Sequence, residues 1–176
     1  MVPSLVNYTC NGFAMCMENT KEAFHWIIGV LKRYDVPFQI TGGLAAKIYG
    51  SPRPLNDFDI DVPDERLREI VLDVRPYIVF GPAHHRDERW DILLMTLEYK
   101  GQEIDIDGGY GIKICDARTG KLVPVPTDFS HYEEREIFGL KVPVIPREDL
   151  IAYKRMLVGE HQQVDIQSVE ASLSRR

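Results

Sequence analysis

Residues 40–62 read ITGGLAAKIYGSPRPLNDFDIDV, and the order of elements in that stretch decides the fold. Phe38-Gln39-Ile40-Thr41 reads as a short strand that runs into Gly42-Gly43. Leu44–Tyr49 continues as a short helix, stopped by Gly50-Ser51-Pro52. Asp57-Phe58-Asp59-Ile60-Asp61-Val62 then alternates acid with apolar, which is the pattern of a strand with two unlike faces. Three carboxylates on one strand face repel, so one of them holds a proton unless a cation sits among them. A hard divalent ion such as Mg²⁺, bridging to substrate phosphates, is the usual resolution. The competing reading is a water-bathed strand face, but Asp is a poor strand former and three in alternation need a reason. Glycines admit a close ligand approach and free N–H groups at a helix start attract phosphate, although Gly-Gly also serves as a plain turn.

Working outward, Glu103-Ile104-Asp105-Ile106-Asp107 repeats the acid-apolar alternation after a turn at Lys100-Gly101. If the two acidic strands lie side by side with these faces aligned, their carboxylates meet in one pocket. One cation cluster explains both strands better than two separate solvated faces. Upstream, Asn19 and Glu22 have capping-box spacing, and Phe24, Ile27, Ile28 and Leu31 recur at helical intervals. Pro63-Asp64 opens another helix, Tyr77–Phe80 is a strand ended by Gly81-Pro82, and Ala83–Arg89 is a polar loop. Strands follow at Asp91–Tyr99 and around Ile112–Cys115, with a hairpin through Gly139 over 136–144. Two helices close the chain, at 146–157 and 164–173. The expectation is an α+β single domain, a mixed β-sheet flanked by helices over 18–176, with a loosely ordered arm over 1–17.

The 176 residues carry a formal charge of −6, which argues against a duplex-DNA backbone binder. No apolar run approaches the roughly 18–20 residues a membrane span needs. Three cysteines, Cys10, Cys16 and Cys115, lack metal-ligand spacing and fit reduced thiols in a cytoplasmic protein. His84 and His85 are adjacent, so on a strand they would point apart; a polar surface loop is favoured over a second metal site. Trp90, Tyr99 and Tyr110 are candidates to stack on a base, with core packing as the default.

Gly42-Gly43, thirteen residues, Asp57-Phe58-Asp59 and a distant Ile104-Asp105-Ile106 together resemble the signature of the nucleotidyltransferase superfamily. The stretch 40–62 is most similar to the small lincosamide- and aminoglycoside-type enzymes and to the minimal enzymes of toxin–antitoxin systems, and PREDLIAYKR at 146–155 is similar to their lysine-bearing C-terminal helix. The resemblance implies the nucleotidyltransferase fold and transfer of a nucleoside monophosphate from an NTP, with two Mg²⁺ ions and release of pyrophosphate. It implies Asp57 and Asp59 as paired metal ligands and Asp105 as the third carboxylate, either a ligand or the base. Gly42, Gly43, Arg53 and Lys154 would hold the nucleotide phosphates. Asp59-Ile60-Asp61 also fits the acid pattern, so the register of the ligand pair stays open at this point. The chain departs from the family at Val158–Gln163, where a more basic turn is expected. The acceptor is open between a small molecule and a protein. Readings kept beside this one are a toxin–antitoxin or abortive-infection enzyme acting on a partner protein or tRNA, and a degenerate nucleotide-binding domain. A homodimer or a small helical partner protein are the assemblies considered, the former to complete an acceptor pocket.

Overall fold

The structure is a computed structural model that describes residues 9–174. Helix α1 (Thr9–Arg33) is followed by β1 (Gln39–Ile40), α2 (Gly42–Ile48) and β2 (Asp57–Val62). A 3-10 turn, the short α3 (Val71–Val74) and another 3-10 turn lead to β3 (Ile78–Arg86) and β4 (Trp90–Tyr99). Then come β5 (Gln102–Gly108), β6 (Lys113–Asp116), β7 (Lys121–Pro124), β8 (Glu133–Ile137), β9 (Leu140–Val144), α4 (Arg147–Met156) and α5 (Glu160–Leu173). The nine strands make one mixed sheet, matching the α+β expectation.

The centre of the sheet is set by two pairings. Lys100 and Gly101 both have positive φ (53° and 78°), a mirror-image two-residue turn that suits a hairpin and locks Tyr99 opposite Gln102. From that turn the β4–β5 register runs back to Thr96 opposite Asp105 and Leu94 opposite Asp107. On the far edge of β5 lies β2, in parallel, with Asp57 opposite Glu103, Asp59 opposite Asp105 and Asp61 opposite Asp107. Period-two alternation then sends Phe58, Ile60, Ile104 and Ile106 to the other face, where all four are fully buried. Phe24 of α1 meets Phe58 there edge to face, ring centroids 5.7 Å apart, so α1 roofs the apolar face. Trp26 extends this contact by stacking on Tyr99 at 4.3 Å.

Several expected boundaries move. The first helix begins at Thr9, so Asn19 lies inside it and donates to the Lys100 carbonyl instead of capping. The arm expected over 1–17 falls outside the described residues up to residue 8, as do the side chains of Cys10 and Cys16. The segment opened by Pro63 forms short 3-10 and α turns in place of one regular helix. Of the loop expected over Ala83–Arg89 only 87–89 remains one: β3 continues through Gly81-Pro82 with a register shift and pairs along β4 as far as Arg86–Asp91. Tertiary pairing with a long neighbour outweighs the local turn signal there. The strand β7 had no signal that the sequence reading used, and α5 starts at Glu160 instead of 164. Among the described residues no helix is long and apolar enough to cross a membrane.

Candidate active site

The acidic face of β2 and β5 is the floor of a cavity of about 600 Å³, overlooked by Tyr153 and Met156 of α4. Asp57, Asp59 and Asp105 are half-buried there, each offering a carboxylate oxygen within 4.8 Å of the others. Among the described residues this is the one His/Cys/Asp/Glu group of three or more that could hold an ion. The side-by-side strands anticipated from the alternating acids are therefore present. One oxygen of each deeper acid is already committed. Gly43 N–H donates to Asp59 Oδ2 at 2.8 Å, and Thr96 Oγ1 donates to Asp105 Oδ1 at 2.6 Å. The other oxygen of each is left for a cation, so the donor set fits a hard divalent ion.

The glycine turn is shaped around Asp59. Gly42 has φ +53°, and a Cβ on it would sit 1.9 Å from Asp59 Oδ2. A Cβ on Gly43 would instead stand 3.8 Å from both Asp57 and Asp59. Here the backbone closely approaches the Asp59 carboxylate.

Asp61 and Asp107 continue the acid rows one step along the strands. Asp61 is 5 % exposed and accepts from Thr41 Oγ1 at 3.1 Å and from Thr127 Oγ1. Both of its oxygens are thereby occupied, which favours Asp57/Asp59 over Asp59/Asp61 as the ion-facing pair. Asp107 Oδ1 is a buried oxygen without a hydrogen-bond partner.

Burial, with the Asp57 charge next, pushes the Asp59 carboxyl up to about 7 against the opposing Gly43 hydrogen bond. Burial pushes Asp61 up to about 6, and burial with neighbouring carboxylates raises Asp107 well above its ordinary value. Burial also raises Asp105, opposed by the Thr96 hydrogen bond. An acid whose folded pKa is raised binds its proton more tightly when folded. Its stabilising share is complete below the ordinary value near 3.8 and is lost as pH rises through the folded value. Metal-free protein should therefore melt lower at pH 8 than at pH 5, by roughly 5 °C for a loss on the order of 2 kcal/mol. Millimolar Mg²⁺ should restore most of it at pH 8. Calorimetric melts with and without EDTA measure both, and equal Tm values throughout would contradict the carboxylate crowding.

Arg53 and Lys154 come together, but away from the cavity lining. Asp165 of α5, 1 % exposed, accepts from Ser51 Oγ (2.6 Å) and Arg53 Nη1 (2.6 Å) and pairs with Lys154 Nζ (2.8 Å). Lys154 also donates to Gln162 Oε1 at 3.1 Å. Burial alone would raise the Asp165 carboxyl, yet the Lys154 and Ser51 hydrogen bonds and the two cations bring it below its ordinary value. This cluster ties α5 to α4 and to the segment before β2. Asp165→Ala leaves buried Lys154 without its counterion and should cost about 3 kcal/mol in urea unfolding.

Of the other sequence candidates, His85 lines the cavity and stands 3.3 Å from Asp87, whereas His84 is exposed. Trp90 lines the cavity, Tyr99 belongs to the Trp26 stack, and Tyr110 is 53 % exposed against Phe129. Thr41, Thr96, Thr127 and Tyr153 were not singled out by sequence. Only Thr96 had a usable signal, since the Lys100-Gly101 turn places it opposite Asp105.

No protein-family profile matches this sequence, nor does any curated protein sequence. Solved structures do match. A candidate nucleotidyltransferase from Thermotoga maritima superposes with a TM-score of 0.63 at 22 % identity, over 88 % of this chain and 92 % of that one. The lincosamide antibiotic adenylyltransferase LnuA, with lincomycin bound, gives 0.57 at 15 % identity over 86 % and 96 %. The antibiotic-resistance factor ANT(2'')-Ia gives 0.57 at 16 % identity over 88 % and 84 %.

The chain has the nucleotidyltransferase fold.

Within the nucleotidyltransferase fold, the acid triad sits on the two central parallel strands, next to the glycine turn that opens α2. The segment 158–163, where a basic turn was expected, has its last four residues absorbed into α5 and supplies Gln162 to Lys154.

Proposed function

We propose that this chain is a Mg²⁺-dependent nucleotidyltransferase that moves a nucleoside monophosphate from an NTP to the hydroxyl of a small-molecule acceptor and releases pyrophosphate. The observation that carries the reading is the triad itself. Three carboxylates, on strands whose register puts Asp59 opposite Asp105, point into an open cavity with one oxygen of each deeper acid uncommitted. The fold is shared with adenylyltransferases of antibiotics, which supports a small acceptor.

In this reading Asp57 and Asp59 would hold the Mg²⁺ ions, and Asp105 is the base in place of a third ligand. When bound, the ions would supply charge neutralisation at the α-phosphate and its leaving group. The acceptor oxygen attacks the α-phosphorus, the bond to the β-phosphate bridging oxygen breaks, and pyrophosphate departs with that electron pair. Asp105 takes the acceptor proton on the oxygen that Thr96 does not engage. Thr96 keeps that carboxylate from rotating, as Gly43 N–H does for Asp59. Gly42 and Gly43 keep the phosphate side free of side chains. Arg53 and Lys154, held on Asp165, act as nearby cations that offset the carboxylate field. The Lys154 charge already lowers Asp59.

The test is pyrophosphate release by the full chain from each of the four NTPs with Mg²⁺ and a panel of hydroxyl-bearing small molecules. Acceptor- and Mg²⁺-dependent release supports the reading. Failure of any Mg²⁺·NTP to bind, by titration calorimetry, removes it.

A further inference from the structure

We infer that the end of the cavity beyond Asp61 and Asp107 is the acceptor subsite, and that it takes an amine-bearing small alcohol with an apolar ring or chain. This rests on the nucleotidyl-transfer reading and deepens it. The strand registers give the cavity a direction. At one end the glycine turn stands beside Asp57 and Asp59. The triad comes next, then Asp61 and Asp107, and on the same face of β4 the row continues from Leu94, opposite Asp107, to Ile92 and Trp90. Ile92 lies four residues, or about 13 Å, along β4 from the level of Asp105. In-line displacement needs the attacking and leaving oxygens on opposite sides of the phosphorus. With pyrophosphate leaving toward the glycine turn, attack comes from the β4 end.

That end is apolar. Ile92, Ile112 and Ile114 form a hydrophobic cluster of their own, against which Trp90, Leu94, Val125 and Tyr153 pack half-buried. Trp90, Leu94, Ile112, Val125 and Met156 present surface to the cavity, so part of this cluster is uncovered until a ligand covers it. The chain builds this wall from its own β4, β6–β7 region and α4, without needing a second copy. The charge around it is equally selective. Among the described residues, no lysine or arginine lines the cavity. Its two histidines each face a carboxylate, His85 with Asp87 and His131 with Asp149, both at 3.3 Å. An acceptor carboxylate or phosphate would find no cation here, whereas an amine would find Asp128 or Asp149. The same charge disfavours a nucleic-acid acceptor.

The experiment is ligand-observed saturation-transfer NMR on the full chain with Mg²⁺ and a non-hydrolysable ATP analogue. The probes are aryl and cyclohexyl amino alcohols, each paired with its hydroxy-acid isostere. Amino alcohols should bind at least tenfold more tightly than the acids. Val125→Trp and Met156→Trp both add bulk at the cavity lining, and each should weaken amino-alcohol binding at least tenfold while the analogue keeps its affinity within twofold. Equal binding of the hydroxy acids, or no binding by any amino alcohol, overturns the inference. So does displacement of the amino alcohols by the analogue, which would make the pocket a nucleobase site. Binding of the analogue is read separately by calorimetry. Its failure removes the proposed function, whereas failure confined to the probes removes only this subsite.

Discussion

Asp59→Asn should lower Mg²⁺-dependent pyrophosphate release on the order of 10³-fold and at the same time make the metal-free protein more stable at pH 8. Asn keeps a carbonyl oxygen for the Gly43 N–H, so the turn stays formed. What disappears is a charge that burial and Asp57 already oppose in the folded state. Charge stabilisation by a bound metal is worth several kcal/mol, and each factor of ten in rate is about 1.4 kcal/mol, hence the size of the activity loss. Relief of carboxylate crowding should raise the metal-free Tm at pH 8 by about 3 °C, a gain that shrinks toward pH 4 as the native carboxyl takes up its proton. Opposite signs for activity and stability are the signature of a site that stores repulsion for a cation. An Asp59→Asn protein that is both active and unaltered in Tm would show that Asp59 neither binds metal nor is crowded.

Gly42→Ala is the second large effect, and it acts through backbone and carboxylate together. A non-glycine residue at φ +53° costs roughly 1–2 kcal/mol. The new Cβ would also overlap Asp59, with Oδ2 at 1.9 Å and Cγ at 2.3 Å. Either the turn opens or the carboxylate swings away, and both break the Gly43–Asp59 hydrogen bond. The expected outcome is about 3 kcal/mol lost in urea unfolding and a fall on the order of 10²-fold in kcat. Gly50→Ala is the control. It also has positive φ, +107°, but a Cβ there meets nothing within 4 Å. It should lose stability without losing kcat, and equal activity losses in the two variants would rule out the close approach to Asp59 as the cause.

Much of the site was legible because its signals are local. Alternating acids on two short strands specify which side chains share a face whatever the partner strand is. The Lys100-Gly101 turn fixes a hairpin register by itself, and with it Thr96 beside Asp105. The roles read for Arg53 and Lys154 depended on where their side chains end, and α5 redirected them. Asp165 lies 112 residues from Arg53, so no local pattern announces that pair. The His84-His85 segment, read as a loop from its polarity and from Gly81-Pro82, became strand because β4 offered a continuous edge.

The sequence by itself determined that this protein has two acid-faced strands, a glycine turn ahead of the first and helices enough to cover one apolar sheet face. Period-two alternation and turn chemistry act over a few residues and need no tertiary context. Only the tertiary structure decided that β2 and β5 lie in parallel with Asp59 level with Asp105, because the ends of that pairing are some 46 residues apart in the chain. It also decided that Gly43 N–H is spent on Asp59, that Asp165 gathers the two cations, and that an apolar wall stands at the β4 end of the acids. Those are consequences of long-range packing, where burial selects among partners that short-range propensity leaves equivalent.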